Sequence, residues 1–313
     1  MVFPALNSIH GIRLFHGIFT VQTFFLRADR GAFIARFLQE FPLERIDQGE
    51  VQLRENYPMS RKDLDTQSRS TKRSEKEQSY ASRMEQCIAE SPYSNLERLQ
   101  NFGLYVPRQD LTNFLVRYEI FKRALGVQGS IIECGVLRGG GLMAWAQFSA
   151  IFEPTNHQRR VVGFDTFRGF PKLSKQDLAS GSEQARPGGL AVDSFAHLKH
   201  CVELFDMNRF VGHVPKVELV RGDAVKTIPQ YLKENPQLIV SLLYLDFDIY
   251  EPTLAALKHF VPRMPKGAVI AFDELNLKDW SGESVAVLET LELRKYRIER
   301  CSFGSVTSFA QIE

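Results

Sequence analysis

The segment from Ser130 to Pro171 constrains the fold more than any other part of the chain. It opens with Ile131-Ile132-Glu133-Cys134, turns through Gly135-Val136-Leu137-Arg138-Gly139-Gly140-Gly141, carries helix-forming residues from Leu142 to Ile151, and closes on Val161-Val162-Gly163-Phe164-Asp165. An apolar run, a glycine-rich turn, a helical stretch and a second apolar run ending in an acid predict strand, loop, helix, strand. That is half of a nucleotide-binding crossover. Glycines let the backbone approach a ligand where a Cβ would collide, and a carboxylate at the second strand's tip can accept from two ribose hydroxyls. These glycines do not fall at G-x-G-x-x-G spacing, and the chain has no G-x-x-x-x-G-K-[ST]. A ligand with a ribose but no pyrophosphate fits better, which directs the expectation to S-adenosylmethionine.

The following residues repeat the alternation. Strand Val217–Val220 leads to Arg221-Gly222-Asp223-Ala224 and a helix over 225–234; the apolar run Leu238–Leu245 suits a strand covered on both faces and ends at Asp246-Phe247-Asp248. A helix over 252–261 precedes strand Ala268–Phe272, which delivers Asp273-Glu274. A helix over 282–293 follows, and alternating runs at 296–301 and 306–312 predict an antiparallel pair at one sheet edge. The fold class expected is α/β: a Rossmann-like, mostly parallel seven-stranded sheet with an antiparallel C-terminal strand, plus an N-terminal helical extension.

Ligands of open α/β sheets sit beyond the carboxyl ends of parallel strands. Strands here end in Asp165, Asp223, Asp246 and Asp273 with Glu274, more acids than chance places there. Asp246 and the Asp273-Glu274 pair lie on strands expected to be neighbours, where like charges raise one another's pKa unless a cation sits between them. Mg²⁺ accepts hard oxygen ligands, so a divalent ion on Asp246, Asp273 and Glu274 is expected, with Asn276 as a carbonyl ligand or supporting donor.

Upstream, Leu111, Phe114, Leu115, Tyr118, Phe121 and Leu125 predict a helix over 108–125 with Arg117, Lys122 and Arg123 outward. A boundary near residue 104 then separates an N-terminal helical and lid region, residues 1–104, from a Rossmann-like domain over 105–313. Residues 1–48 are rich in aromatic and aliphatic side chains, with helical spacing over Ala28–Glu40, and need cover from the main domain or from another subunit. A homo-oligomer is therefore expected. Leu14–Leu26 falls short of the roughly 20 residues of a bilayer span and lacks a basic region before it, so membrane association is not expected. From Arg54 to Glu85 the basic and acidic residues nearly cancel, which predicts a mobile solvated linker near 54–80, with a helix resuming at Tyr80–Ile88.

A formal net charge of +2 is too balanced for a protein that grips a nucleic-acid backbone. Four cysteines without a C-x-x-C pair argue against a zinc knuckle or disulfide framework and point to reduced thiols in a cytoplasm. The polar stretch between Gly169 and Leu190 reads as a lid or acceptor-binding loop. On the helix expected over 193–209, His197 and His200 stand three apart without an H-E-x-x-H frame, a weak metal signal.

Glu133-Cys134-Gly135-Val136-Leu137-Arg138-Gly139-Gly140, Phe164-Asp165-Thr166-Phe167-Arg168-Gly169-Phe170-Pro171, Leu245-Asp246-Phe247-Asp248-Ile249-Tyr250-Glu251-Pro252-Thr253 and Asp273-Glu274 together resemble the metal-dependent macrocin/mycinamicin O-methyltransferase family, which methylates sugar hydroxyls of macrolides. The resemblance covers roughly residues 105–275. It implies a cofactor cleft formed by Glu133, Gly135 and the following turn with Arg138 and Gly139, Asp165 and Thr166 at the ribose, and Asp223 with Ala224 near the adenine. It also implies Mg²⁺ on Asp246, Asp273 and the next residue, where the family usually has a second aspartate and this chain has Glu274.

The activity these readings predict is S-adenosylmethionine- and Mg²⁺-dependent O-methylation of a small glycosylated acceptor. Asp246 is the expected proton acceptor, with His197 or His200 as rival bases if the polar loop folds over the cleft. A catechol or surface saccharide is the alternative acceptor. A nicotinamide-dependent oxidoreductase would also use Asp165 but leaves the second-half acids unexplained, and a non-catalytic nucleotide-binding protein is the third reading.

Overall fold

The computed structural model describes residues 74–178, 181–304 and 306–313. The expectations for Leu14–Leu26, for Ala28–Glu40 and for most of the linker lie outside these residues. Five parallel strands form the centre: β1 (Ser130–Cys134), β2 (Val161–Asp165), β3 (Val217–Arg221), β4 (Val240–Leu245) and β5 (Val269–Phe272). Two short strands, β6 (Glu299–Arg300) and β7 (Ser308–Gln311), complete a seven-stranded sheet in the order β3-β2-β1-β4-β5-β7-β6. β7 runs antiparallel to both β5 and β6, as the alternating C-terminal runs predict.

Both sheet faces are covered, which explains why β1, β4 and β5 are buried along their whole length. Because strand side chains alternate, Ile132, Cys134, Leu243, Leu245, Ile270 and Phe272 share one core with the helices α6 (Ala224–Glu234), α7 (Tyr250–Phe260) and α8 (Ser281–Thr290). Ile131, Leu242, Tyr244, Val269 and Ala271 face the opposite core, with α3 (Arg108–Ala124), α4 (Gly140–Phe152) and α5 (Phe195–Met207). Each fully buried aliphatic side chain contributes about 1.5–3 kcal/mol. A one-residue slip of β4 would exchange its two faces and set Leu243 and Leu245 against the wrong helices.

Among the described residues, two α-helices precede α3. The first, α1 (Glu75–Glu90), starts five residues before the expected Tyr80, because Glu, Lys and Gln extend a helix as readily as they populate a linker. The second, α2 (Asn95–Gln100), opens with a capping box in which Ser94 Oγ accepts from Glu97 N and Glu97 accepts from Ser94 N. No described helix is long and apolar enough to cross a membrane.

The packing of α3 differs from the sequence expectation. Its buried residues are Val116, Ile120, Phe121 and Ala124, whereas Phe114 and Leu115 are exposed. Arg117 therefore points inward rather than outward. The aromatic residues of the expected face still find partners, Phe114 packing on Phe148 at 4.7 Å between ring centroids. Anchoring the core through Val116, Ile120, Phe121 and Ala124 puts Arg117 on the flank that meets the sheet.

The strand order reverses between β1 and β4, and there a crevice opens at the carboxyl ends of the strands. Gly135 closes its floor. With φ +97° it occupies the left-handed region, and a Cβ there would stand 1.8 Å from the Asp246 carbonyl oxygen. Gly135→Ala is expected to destabilise the chain by about 3 kcal/mol or more, since the obstacle is backbone from the adjacent strand. Urea denaturation followed by circular dichroism measures this.

Candidate active site

A cleft of about 760 Å³ occupies the crevice. Its lining includes Glu133, Gly135, Arg138, Asp165, Thr166, Asp223 and Ala224, all assigned to a cofactor from the sequence. Gly139 lies outside this wall: it caps α4 at φ +86°, and its free side faces Leu198.

Asp165 organises the glycine loop. Its Oδ2 accepts from Val136 N at 2.8 Å and from Leu137 N at 2.9 Å, and its Oδ1 accepts from Phe167 N at 2.6 Å. Leu137 (φ 51°) and Phe167 (φ 55°) are thus held in the left-handed region by one carboxylate at the tip of β2. Across the cleft, Asp223 caps α6, accepting from Val225 N at 3.1 Å.

A partly buried arginine that the sequence reading missed, Arg117, forms the inner wall together with the buried Glu133. Arg117 packs over the Tyr244 ring at 4.6 Å and approaches Asp246 at 3.9 Å. Burial opposes its charge, yet Tyr244, Glu133, Asp273 and Asp246 hold its pKa above the ordinary arginine value. Glu133 is 2% exposed, and burial pushes its carboxyl up to about 7 against the charge of Arg117 and the indole of Trp145. Glu133 Oε2 and Arg117 Nε have no hydrogen-bond partner, so the pair presents unsatisfied groups of opposite sign at the cleft. The stripe of Val116, Ile120 and Ala124 was the available signal for Arg117, since it places residue 117 on the buried flank.

Beside this pair, carboxylate oxygens of Asp246, Asp248 and Glu274 lie within 4.8 Å of one another. Asp246 and Asp248 line the cleft. Lost hydration, followed by the charges of Asp273 and Asp248, raises Asp246 well above the carboxylate range; lost hydration with Asp273 and Asp165 pushes Asp248 up to about 8. Burial and the same acids raise Glu274, whose Oε2 has no partner. Beneath it, Glu283 is fully buried and accepts from Glu274 N at 3.1 Å.

The sequence expectation paired Asp246 and Glu274 with Asp273. The structure joins Asp248 to them, while Asp273 Oδ1 accepts from the Tyr244 hydroxyl and from Thr307 Oγ1 at 3.0 Å. Asp248 follows Asp246 by two residues and reaches the cluster through a left-handed backbone, φ 61°. The Asp-Phe-Asp spacing was the legible hint. Asn276 is exposed, and its backbone N–H donates to Ser284 Oγ at 2.7 Å. The histidines stand apart as well: His197 and His200 lie on the exposed side of α5, near Cys201 and Glu203 respectively, and neither lines the cleft.

Three crowded acids with an unpartnered oxygen fit a divalent cation, because its charge offsets the repulsion among them and their hard oxygens suit it as donors. The cradle therefore suits Mg²⁺ by donor type and charge.

The sheet order and the crevice define a class I, Rossmann-like methyltransferase fold of the S-adenosylmethionine-dependent type. The solved structure of the calicheamicin methyltransferase CalS11 superposes with a TM-score of 0.73 at 34% identity, covering 76% of this chain and 93% of that one. Its apo form, described as a TDP-rhamnose 3'-O-methyltransferase, gives a TM-score of 0.66 at 33% identity, covering 76% and 95%. The model of the macrocin-O-methyltransferase family (TylF) matches residues 106–290. The chain belongs to this family.

Two curated relatives are each 26% identical over 48% of this chain: an 8-demethyl-8-(2,3-dimethoxy-alpha-L-rhamnosyl)-tetracenomycin-C 4'-O-methyltransferase from Streptomyces olivaceus and a mycinamicin III 3''-O-methyltransferase from Micromonospora griseorubida. The matches span about half the length of these relatives, 54% and 56%.

Proposed function

We propose that this chain is an S-adenosylmethionine- and Mg²⁺-dependent O-methyltransferase acting on a sugar hydroxyl of a glycosylated natural product of the macrolide type. The observation that carries the reading is one cleft in which a nucleotide-binding wall (Asp165, Asp223) adjoins a cradle of acids (Asp246, Asp248, Glu274). Family membership and the sugar-methylating relatives support it.

In this reading Asp165 and Asp223 orient the nucleoside. Glu133 and Arg117 offer a carboxylate and a guanidinium to the ammonium and carboxylate of the amino-acid end. Asp246, Asp248 and Glu274 hold the cation, which when bound supplies Lewis acidity to an acceptor hydroxyl. Asp246 is the proton acceptor, lying at the junction of both halves. Val106, Pro107, Phe114 and Phe170 form the apolar rim that excludes water, and Asp110 and Asn113 on the first turns of α3 face the acceptor side. Acceptor selection is thus assigned to residues around the 105 boundary and before it.

Four free cysteines agree with a cytoplasmic enzyme. Exposed Leu96, Leu99, Phe102 and Leu104 favour a homo-oligomer, because apolar side chains at 56–73% exposure gain from cover. Labelled methyl transfer to a panel of glycosylated polyketides, their aglycones, deoxysugar nucleotides and catechols tests the function. The label is expected on a sugar hydroxyl; label on catechols alone would contradict the reading.

A further inference from the structure

The polar loop after Gly169 contains an aspartate buried almost completely: Asp177 is 3% exposed. A carboxylate that has lost its hydration must recover hydrogen bonds from the protein. Its Oδ2 accepts from Ser174 N at 2.8 Å and Ser174 Oγ at 2.6 Å, and its Oδ1 accepts from Tyr250 N at 2.8 Å. The first two bonds shape the loop. The third reaches across to the first residue of α7, only two positions beyond Asp248.

The turn this bond secures carries Asp246 and Asp248, and Asp248 sits there at φ 61°, a conformation that non-glycine residues disfavour. The start of α8 closes the same junction. A Cβ on Gly282 would lie 2.2 Å from Asp177 Oδ1 and 2.5 Å from Tyr250 N, so this position accepts glycine alone without displacing the bond. Its neighbours extend the contact in both directions: Ser281 Oγ donates to Gln176 O at 3.0 Å, and Glu283 accepts from Glu274 N. Three consecutive residues of α8 therefore touch the polar loop, the Asp177–Tyr250 bond and the tip of β5.

We propose that Asp177 is a positioning residue for the acid cradle: by holding Tyr250 N it keeps the Asp246–Tyr250 turn in the conformation that aims Asp248 at Asp246 and Glu274, and so sets divalent-cation affinity. The inference rests on the cradle being a cation site. It gives the polar loop a task separate from acceptor contact, because one carboxylate of the loop also bonds the turn that carries Asp246 and Asp248.

The test is an electron paramagnetic resonance titration of the full-length protein with Mn²⁺, the paramagnetic stand-in for Mg²⁺. Asp177→Ala leaves Tyr250 N without its acceptor and is expected to weaken Mn²⁺ binding about tenfold or more, the usual effect of losing a group that orients a ligand. S-adenosylhomocysteine affinity by calorimetry is expected to change less than about threefold, since Asp177 does not line the cleft. Asp177→Asn keeps one oxygen for Tyr250 N but turns its amide NH2 towards Ser174 N–H, so its Mn²⁺ affinity is expected to fall less than that of Asp177→Ala. Asp177→Ser, too short to reach Tyr250 N, replaces the alanine variant if that one does not fold. Wild-type Mn²⁺ affinity in the Ala or Ser variant overturns the proposal. A loss in the Asn variant larger than that in Ala overturns it too, since of the two only Asn can still accept from Tyr250 N. A wild-type protein that binds no Mn²⁺ overturns the cation reading itself.

Discussion

Asp246→Asn is expected to lower methyl transfer about 10³-fold while S-adenosylhomocysteine binding stays within about threefold of wild type, the pattern of a group that acts in the transition state more than in binding. The amide keeps the size of the side chain but removes the basic oxygen and one of the charges that a cation needs. The same substitution is expected to stabilise the metal-free protein at pH 8, because it takes one negative charge out of a cluster in which lost hydration and the neighbouring acids already push Asp246 well above the carboxylate range. Asp248→Asn is expected to behave alike. Asp273→Asn is expected to cost less activity, since Asp273 Oδ1 is committed to Tyr244 and Thr307 and an amide oxygen can still accept both bonds. Single-turnover assays, calorimetry and thermal melts on these three variants separate the roles.

The metal-free protein is expected to lose stability as pH rises from about 5 to 8. Burial places Glu133 at about 7, lost hydration and Asp273 place Asp248 at about 8, and Asp246, Glu274 and Glu283 are raised as well. A group whose folded pKa exceeds its unfolded value binds more protons in the native state between the two values, so the stability of the fold falls with pH across that window. Below the unfolded carboxylate values both states are protonated and these groups contribute no slope. Mg²⁺ is expected to reverse the effect at pH 8 by neutralising the cradle, raising Tm by about 5 °C or more at saturating concentration. The rise is expected to shrink towards pH 5, where protons compete for the same oxygens. Differential scanning calorimetry across pH, with Mg²⁺ and with chelator, measures both slopes.

The sheet and the cofactor wall were legible in the sequence for a common reason. Strands covered on both faces write themselves as unbroken apolar runs, as in Leu242–Leu245, and a loop pressed against the backbone of the adjacent strand requires glycine at Gly135. Strand-end acids such as Asp165 and Asp246 follow from the same geometry. The inner wall was harder to read because it depends on which stripe of α3 faces the sheet. Phe114, Leu115 and Tyr118 carry more apolar surface than Val116 and Ala124, yet the face buried on the sheet is that of Val116, Ile120, Phe121 and Ala124, and Arg117 on its flank turns inward over the Trp145 and Tyr244 rings. Asp248 was obscured by its backbone. An extended continuation of β4 leaves no reason to prefer it to Asp273, and only the left-handed turn held at Tyr250 N brings it to Glu274. The histidines carried the opposite lesson, since helical spacing placed His197 and His200 on α5 correctly without saying that their face meets solvent.

The proposed cation site among the acids beside the nucleotide wall is expected to be needed for transfer. Its most direct test is the rate of labelled methyl transfer to a glycosylated acceptor as free Mg²⁺ is titrated into chelator-treated full-length protein. The expected result is a rate near background in chelator, restored along a saturable Mg²⁺ curve. An unchanged rate in excess chelator would contradict it.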